Sequence, residues 1–368
     1  MSKVPFFSTQ LANAKVDLQA PVQRVLDSHW YILGNEVTAF EREYAEHVGA
    51  EHCVSVANGT DAINIALRAV GVTSGDSVIA TANAGFYSST AILQIGAQPV
   101  YVDVDPLTLT MSKDRLKEAL ETCSPRAIVV THLYGQLADV EAIVRIAMDA
   151  GVAVIEDCAQ AHGAMRNGKA AGSFGTVGCF SFYPTKNLGA LGDGGAVVTG
   201  NAELAARAKQ LRQYGWDKKY HVAISGGCNS RLDELQAAVL RAKLPYLDAW
   251  NEERRAIARR YNAAFARLPL RCPQSVDSDY VAHLYVVQAE DRDDLRRFLS
   301  EHDVATDIHY PVADHLQAVH GRSTRADALP ATEAACRSVL SLPCFPGLAS
   351  DDVAHVIRTV LDYFGARP

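Results

Sequence analysis

The chain of 368 residues lacks the paired cysteine and histidine spacings that hold metals or form disulfide frameworks. Its eight cysteines contain no C-x-x-C pair and lie scattered at Cys53, Cys123, Cys158, Cys179, Cys228, Cys272, Cys336 and Cys344. Free thiols in a reducing compartment are therefore the simpler interpretation. The twelve histidines show no H-E-x-x-H spacing, so we expect no metal site.

Long apolar runs and basic runs are also missing. No stretch reaches the roughly 18 apolar residues of a transmembrane helix, and the N-terminus, MSKVPFFSTQLANAK, has no signal-peptide core. We therefore predict a cytoplasmic protein that does not enter a membrane. The net charge of −7, without a lysine or arginine cluster, argues against nucleic-acid binding. The 48% of hydrophobic and 21% of charged residues are typical of a globular protein.

Short apolar runs alternate with helical patterns in the first half of the chain. The expected strands lie at 53–56, 77–80, 99–105, 127–133 and 152–157. The expected helices lie at 61–71, 89–96 and 139–151. Unbroken Val/Ile runs separated by helices predict an α/β fold whose mainly parallel sheet is covered on both faces.

The pattern changes after Thr199. Charged helical stretches at 202–213 and 231–268 are followed by an expected strand at 283–288 and a helix at 291–302. We therefore predict a large domain over 1–245, with the N-terminal segment included, and a smaller C-terminal α/β domain over 246–368.

One lysine lies inside the glycine-rich stretch GCFSFYPTKNLGALGDGGAVVT, residues 178–199. The flanking apolar runs and the intervening Pro and Gly residues predict a strand, a tight loop and a second strand, with Lys186 on the loop. From the loop alone, a solvated surface charge is the simpler interpretation, so other residues must decide.

Three upstream features place polar groups where a ligand would lie. Asp157 ends the apolar run VAVIED, and ligands of parallel sheets bind beyond the carboxyl ends of the strands; a helix N-cap is the alternative. In NGTDA, Gly59 and Thr60 start a helix whose free N–H groups and dipole favour an anion, although a simple cap has the same pattern. Ser181 could add a hydroxyl to the same anion site.

Together these groups meet the needs of pyridoxal 5′-phosphate (PLP). Its phosphate suits a helix N-terminus, its ring nitrogen works best when a carboxylate keeps it protonated, and its aldehyde reacts with a lysine amine. Phe86 and Tyr87, in AGFYSSTA, offer an aromatic side chain to stack on the ring.

Seven segments, in this order and spacing, resemble the sugar aminotransferases of the DegT/DnrJ/EryC/StrS family. They are LGNEVTAFEREYAEHVGAEHCVSVANGTDAINIAL, PVYVDVDP, HLYGQLADV, VIEDCAQAHGA, FSFYPTKNLGALGDGGAVVT, NSRLDELQAAVL and LSLPCFP. The resemblance covers nearly the whole chain. It implies the aspartate-aminotransferase-like (type I) fold, with PLP as the cofactor of the large domain.

The resemblance assigns roles around the cofactor ring. Lys186 would form the Schiff base with PLP and later move the proton between the cofactor and the sugar. Asp157 would pair with the ring nitrogen, and Gln160 would contact the ring hydroxyl side. Tyr87 would stack on the ring, with Phe86 as the alternative.

The resemblance also assigns the phosphate contacts. Gly59, Thr60 and Ser181 would hold the phosphate from within the chain. Asn229 matches a family asparagine that reaches the phosphate from the neighbouring subunit, although a turn residue before a helix is the simpler alternative. The resemblance thus implies a homodimer with shared active sites.

Family members pass the amino group of L-glutamate to a keto sugar carried on a nucleotide. Lys186 favours transamination, because dehydrating relatives carry histidine there. TDIHYPVADHLQAVH (306–320) and LPATEAACRSVLSLPCFPG resemble the branch that aminates C3 of dTDP-3-keto-6-deoxyhexoses, for deoxyamino sugars of glycans such as O-antigen. The further substrate candidates are Tyr31, Tyr183, Arg231, His309, Tyr310 and His315.

Three alternatives stay open on the sequence. The chain could aminate C4 of a 4-keto nucleotide sugar, or aminate a keto-inositol. It could also be a non-catalytic relative that binds a ligand and regulates, although such a protein need not keep Lys186, Asp157, Gln160 and Ser181.

Overall fold

The computed structural model describes residues 3–320 and 329–365; the outermost ends of the two predicted domains, 1–2 and 366–368, lie outside them. The helices are α1 (Thr9–Asn13), α2 (Gln19–Ser28), α3 (Asn35–Val48), α4 (Gly59–Ala69), α5 (Tyr87–Ile95), α6 (Lys113–Thr122), α7 (Val140–Asp149), α8 (Ala202–Leu211), α9 (Glu234–Lys243), α10 (Leu247–Phe265), α11 (Arg292–Glu301), α12 (Pro330–Ser338) and α13 (Ser350–Tyr363). The strands are β1 (His52–Val56), β2 (Ser77–Thr81), β3 (Gln98–Val102), β4 (Ala127–Thr131), β5 (Ala153–Asp157), β6 (Met165–Arg166), β7 (Lys169–Ala170), β8 (Val177–Ser181), β9 (Gly195–Thr199), β10 (Trp216–Lys218), β11 (His221–Val222), β12 (Leu270–Arg271), β13 (Tyr285–Ala289) and β14 (Val339–Leu342).

The central sheet has the strand order β1-β9-β8-β5-β4-β2-β3. The neighbours β2–β3, β2–β4, β4–β5 and β5–β8 are parallel, whereas β9 runs antiparallel to both β8 and β1. Parallel strands bring their carboxyl ends to one edge of the sheet, where polar side chains from distant segments can meet. The predicted α/β fold with a mainly parallel sheet is confirmed.

The unbroken apolar runs have a direct structural cause. Every residue of β4 is buried, since the strand lies between two helix layers. Ala127 and Val129 pack with Ile63 of α4 on one face. Ile128 packs with the side chains of α6 and α7 on the other face.

The predicted helical stretch 231–268 divides at Pro245. Helix α9 ends at Lys243, a 3₁₀ turn covers Leu244–Tyr246, and α10 begins at Leu247. Proline has no backbone N–H to donate, so a continuous helix would lose a hydrogen bond there.

The C-terminal part contains an antiparallel sheet of β12, β13 and β14, packed with α10, α11, α12 and α13. Val4, near the start of the chain, contacts this part, because its N–H donates to the Asp303 carbonyl at 2.8 Å and its side chain belongs to the same apolar cluster. The domain division after residue 245 stays a prediction. Among the described helices, none combines the length and apolarity that a membrane crossing requires.

Candidate active site

A cavity of about 820 Å³ lies beyond the carboxyl ends of β4, β5 and β8. The start of α4, the loop between β8 and β9, and the segment 307–310 complete its walls. The predicted site residues that line it are Gly59, Thr60, Tyr87, Asp157, Gln160, Ser181, Tyr183, Lys186, His309 and Tyr310. Folding thus gathers predicted site residues that are up to 251 positions apart in the sequence (59 to 310).

Lys186 lies on the loop between β8 and β9, and its side chain borders the cavity. Its backbone N–H donates to the Tyr183 carbonyl at 2.8 Å, which closes the turn. Burial lowers the pKa of the Lys186 amine to about 8, and the negative charge of Asp157 opposes this shift. The amine therefore loses its proton more readily than an exposed lysine, as a nucleophile or a base must.

Asp157 is the last residue of β5 and is buried at the floor of the cavity. Its Oδ1 accepts the Ala159 N–H at 3.1 Å, and its Oδ2 accepts the Thr131 hydroxyl at 3.3 Å. Burial raises the pKa of the Asp157 carboxyl, and those hydrogen bonds and the charge of Lys186 oppose the rise. A cation in the cavity would stabilise the ionised carboxylate further.

The Gln160 amide is held from both ends. Its Oε1 accepts the Tyr134 N–H at 2.6 Å, and its Nε2 donates to the Tyr310 hydroxyl at 3.1 Å. The Tyr310 ring lies against Gly85, where an added Cβ would stand 2.8 Å from the ring. Tyr310 is also edge-on to Tyr87, with ring centroids 6.2 Å apart.

The start of α4 forms a close-packed cradle. The Asn58 side chain caps the helix by accepting the Asp61 N–H at 2.8 Å. A Cβ on Gly59 would lie only 2.6 Å from the Cβ of Ser181, so only glycine lets the helix approach the strand end this closely. First-turn N–H groups, the helix dipole and the hydroxyls of Thr60 and Ser181 together suit a phosphate.

Four predicted residues are not among those that line the cavity of this single chain: Tyr31, Asn229, Arg231 and His315. Tyr31 is exposed, and its carbonyl accepts the Glu234 N–H at 3.0 Å. Asn229 is exposed and forms an isolated antiparallel β-bridge with Gln213. His315 is buried, with its Nε2 3.4 Å from a carboxylate oxygen of Glu333.

Sequence reasoning missed Thr131, His283 and Phe6, which also line the cavity. Thr131 ends an apolar run just as Asp157 does, so its position at a strand end was a usable signal. His283 and Phe6 come from segments whose patterns gave no such signal. Phe6 stacks on His309, with ring centroids 5.8 Å apart.

Hydrogen bonds fix the tautomer of His283. Asn251 donates its Nδ2 to the His162 carbonyl at 2.8 Å, so its Oδ1 accepts the Asn187 Nδ2, also at 2.8 Å. The Oδ1 of Asn187 therefore accepts from Nδ1 of His283 at 2.9 Å. Burial lowers the pKa of His283 well below its usual value, which leaves Nε2 of this neutral ring without a proton.

Within the described residues, His132, Glu156 and Cys158 form one buried group of possible metal ligands. However, the Ala138 N–H donates to Nδ1 of His132 at 3.2 Å, so Nε2 carries the proton and donates to Glu156 at 2.9 Å. The Glu156 carboxylate also accepts the backbone N–H groups of Gly172, Phe174 and Gly175. These bonds brace the ends of β4 and β5, next to Thr131 and Asp157.

Comparison with known proteins identifies the class. Residues 13–361 match the model of the DegT/DnrJ/EryC1/StrS aminotransferase family, and the chain belongs to this family. The chain is accordingly a PLP-dependent aminotransferase. The residues present fit the cofactor, because an amine, a buried carboxylate and an anion cradle meet in one cavity. The predicted enzyme class and cofactor are confirmed.

Individual relatives resemble the chain over nearly its full length. The dTDP-3-amino-3,6-dideoxy-α-D-galactopyranose transaminase of Aneurinibacillus thermoaerophilus is 43% identical over 363 residues, covering 98% of this chain and 99% of that protein. A "pleiotropic regulatory protein" of Geobacillus stearothermophilus is 41% identical over 362 residues, 97% of each. The crystal structure of S. venezuelae DesV in complex with a ketimine intermediate superposes with a TM-score of 0.95 at 41% identity, over 100% of both chains.

Proposed function

We propose that this chain transfers the amino group of L-glutamate to C3 of a dTDP-linked 3-keto-6-deoxyhexose, for a deoxyamino sugar of a glycan such as O-antigen. The observation that carries the proposal is the single cavity that joins Lys186 and Asp157 to His309 and Tyr310 of the C-terminal segment. Its volume is ample for a cofactor and a sugar. The name of the 43% identical relative supports C3 and the dTDP carrier.

Bound PLP supplies an electron sink that stabilises negative charge at the reacting carbon. The Asp157 carboxylate holds the proton on the ring nitrogen, and Gln160 binds on the ring hydroxyl side. Lys186 would hold the cofactor through Nζ, and once released from it the same amine would carry the proton between the two reacting carbons. Its lowered pKa suits both tasks.

Two further sets of residues position the cofactor, one at its phosphate and one at its ring. Gly59, Thr60 and Ser181 bind the phosphate at the start of α4. Tyr87, which lines the cavity, stacks on the ring. Phe86 is the weaker candidate, since it is not among the cavity-lining residues.

The substrate side is formed by Tyr183, His309 and Tyr310. Burial lowers the pKa of His309, and the charge of Asp307 opposes this shift. A neutral His309 exchanges hydrogen bonds with sugar hydroxyls and contributes no charge to bind a diphosphate. Its Nδ1 already pairs with the Ser341 hydroxyl at 2.8 Å, so Nε2, which lies 3.8 Å from a carboxylate oxygen of Asp307, is the ring nitrogen left for a ligand.

The name of the 41% identical Geobacillus protein supports the regulatory alternative. A non-catalytic protein need not keep Lys186 and the buried carboxylate of Asp157 together in one cavity. We therefore favour catalysis. We place the enzyme in the cytoplasm, because all eight cysteines are free, as a reducing compartment would keep them.

The substrate is tested by glutamate-dependent release of 2-oxoglutarate. PLP-loaded protein receives L-glutamate with dTDP-3-keto-6-deoxyhexose, its 4-keto isomer or a keto-inositol in separate reactions, and Lys186→Ala is the blank. We expect turnover with the 3-keto sugar alone. Turnover confined to the 4-keto sugar or to the keto-inositol would overturn the C3 assignment. Silence in all three from a yellow, PLP-loaded protein would favour the regulatory alternative.

We further propose a homodimer with shared active sites. Large apolar side chains are exposed on two segments, with Trp30 62% and Tyr31 47% exposed on one, and Tyr220 78% and Val222 61% on the other. Such surface is typical of an interface. Asn229 follows the second segment in the sequence, and Tyr31 and Arg231 stay substrate candidates.

Complementation tests the shared site. Lys186→Ala and Asn229→Ala subunits, co-expressed with different tags, should form hybrid dimers with one site that carries both changes and one intact site. The purified hybrid should therefore turn over faster than either variant dimer alone. A hybrid no more active than the average of the two variants would show that Asn229 serves its own subunit. Light scattering reports the dimer independently.

A further inference from the structure

Asp314 is a fully buried carboxylate that the mechanism above does not use. It lies in the segment 306–320, whose sequence resembles the C3 branch. Its Oδ1 accepts the Phe86 N–H at 3.0 Å, and its Oδ2 accepts the Ser89 hydroxyl at 2.6 Å. Its own N–H donates to the Ala82 carbonyl at 2.7 Å. Three bonds therefore tie Asp314 to residues around the start of α5.

Helix α5 begins without a cap of its own. The residue before it, Phe86, has φ of 70° and ψ of 4°, and its side chain has no oxygen to accept a hydrogen bond. The first N–H groups of a helix need an acceptor from elsewhere. Asp314 supplies that acceptor from 228 residues further along the chain. A carboxylate is also favourable at the positive end of the helix dipole.

This cap bears on the cavity because α5 begins with Tyr87, which lines it. Tyr310, four residues before Asp314, lies against Gly85 and edge-on to Tyr87. The segment 310–314 thus holds the start of α5 through two contacts, one aromatic and one from the carboxylate.

We propose that Asp314 is a positioning residue that fixes the start of α5 and thereby holds Tyr87 in place on the PLP ring. Asp314 thereby connects the start of α5, which contacts the cofactor through Tyr87, to the segment that carries His309 and Tyr310 on the substrate side. The inference rests on the ring-stacking role proposed for Tyr87. The Tyr101 hydroxyl donates to Ser89 at 2.9 Å and extends the same network.

The chain offers a matched control in Asp103. Its carboxylate accepts the Ala331 N–H at 3.0 Å and the Thr332 N–H and hydroxyl, each at 2.8 Å. Asp103 is likewise buried, and it likewise caps a helix from a distant part of the chain. However, α12 contributes no residue to the cavity lining. Loss of either cap should lower the stability of the protein by a similar amount. Only the loss of the Asp314 cap should also change how PLP is bound.

The experiment compares Asp314→Ala, Asp314→Asn and Asp103→Ala through visible circular dichroism of bound PLP, the Kd for PLP and thermal stability. Asp314→Ala should weaken the dichroism and raise the Kd by up to about tenfold, because the PLP-bound state needs Tyr87 fixed and therefore bears the loss of the cap. Asp314→Asn should restore part of both signals, because its amide oxygen can still accept the Phe86 N–H. Asp103→Ala should lower the Tm by a similar amount with wild-type dichroism and Kd.

Two outcomes would overturn the proposal. Unchanged dichroism and Kd in Asp314→Ala would do so, and so would an equal disturbance from Asp103→Ala. If Asp314→Ala does not fold, Asp314→Asn carries the same comparison. Tyr87→Leu tests the premise separately from the proposal. Wild-type dichroism in Tyr87→Leu would refute the stacking role itself. Weakened dichroism in Tyr87→Leu that the added Asp314→Ala change does not weaken further would support an effect of Asp314 through Tyr87. None of these readouts depends on which sugar is aminated.

Discussion

Lys186→Ala is expected to lose turnover by about 10³-fold or more while the protein stays folded, because it removes both the nucleophile and the proton carrier. The side chain borders a cavity and is not part of the apolar clusters. Borohydride reduction of the wild-type holoenzyme, followed by peptide mass spectrometry, should find the cofactor fixed to Lys186. Near-normal turnover in Lys186→Ala would make the central assignment wrong.

The pKa of Lys186 also predicts how the stability of the PLP-free protein changes with pH. Burial lowers the pKa of Lys186 from 10.5 to about 8, so the folded state holds its proton less tightly than the unfolded state. The charged amine therefore destabilises the fold below pH 8, and this cost disappears as the pH rises towards 10.5. Lys186→Ala should thus unfold at an equal or higher temperature at pH 7.

Lys243 is the matched control for the loss of turnover expected in PLP-loaded Lys186→Ala. Burial also lowers its pKa to about 8, and its Nζ donates to the Gly189 carbonyl at 2.6 Å, in the same loop as Lys186. Lys243→Met should keep the visible absorption band and measurable turnover. Loss of the band in Lys243→Met, with a folded protein, would show that the loop tolerates no change of this size.

Asp157→Asn is expected to lower kcat by about 10²-fold or more, because an amide cannot hold the proton of the ring nitrogen electrostatically. Wild-type protein reconstituted with a PLP analogue that has carbon in place of the ring nitrogen should show a similar loss. The same analogue in Asp157→Asn should cost little more, since the interaction is already gone. Fully additive losses would mean that Asp157 acts on another group.

Asp157 also predicts how cofactor binding depends on pH. Burial raises the pKa of this carboxyl, so it takes up a proton at a higher pH than an exposed aspartate does. The protonated carboxyl cannot pair with a ring cation, so the affinity for PLP should fall as the pH falls through this raised pKa. Asp157→Asn should lack this component of the pH dependence, as titrations of PLP binding at several pH values would reveal.

The local pattern of apolar and polar residues was enough to predict many of the strands. The runs that became β1, β2, β4 and β5 were predicted within about two residues. The expected strand 99–105 ends earlier, at Val102, because the apolar pattern does not mark where pairing stops. Asp157, at the end of β5, and Lys186, on its loop, were found because strand ends and glycine-rich loops carry a local signal.

The sequence by itself determined the α/β alternation, the strand-end position of Asp157 and the loop position of Lys186, because each depends on a few neighbouring residues. Only the tertiary structure decided which distant groups meet. His283 owes its tautomer to Asn187, and α5 owes its cap to Asp314, 228 positions beyond Phe86. Such contacts depend on how the two parts of the chain pack, and no local periodicity encodes that packing.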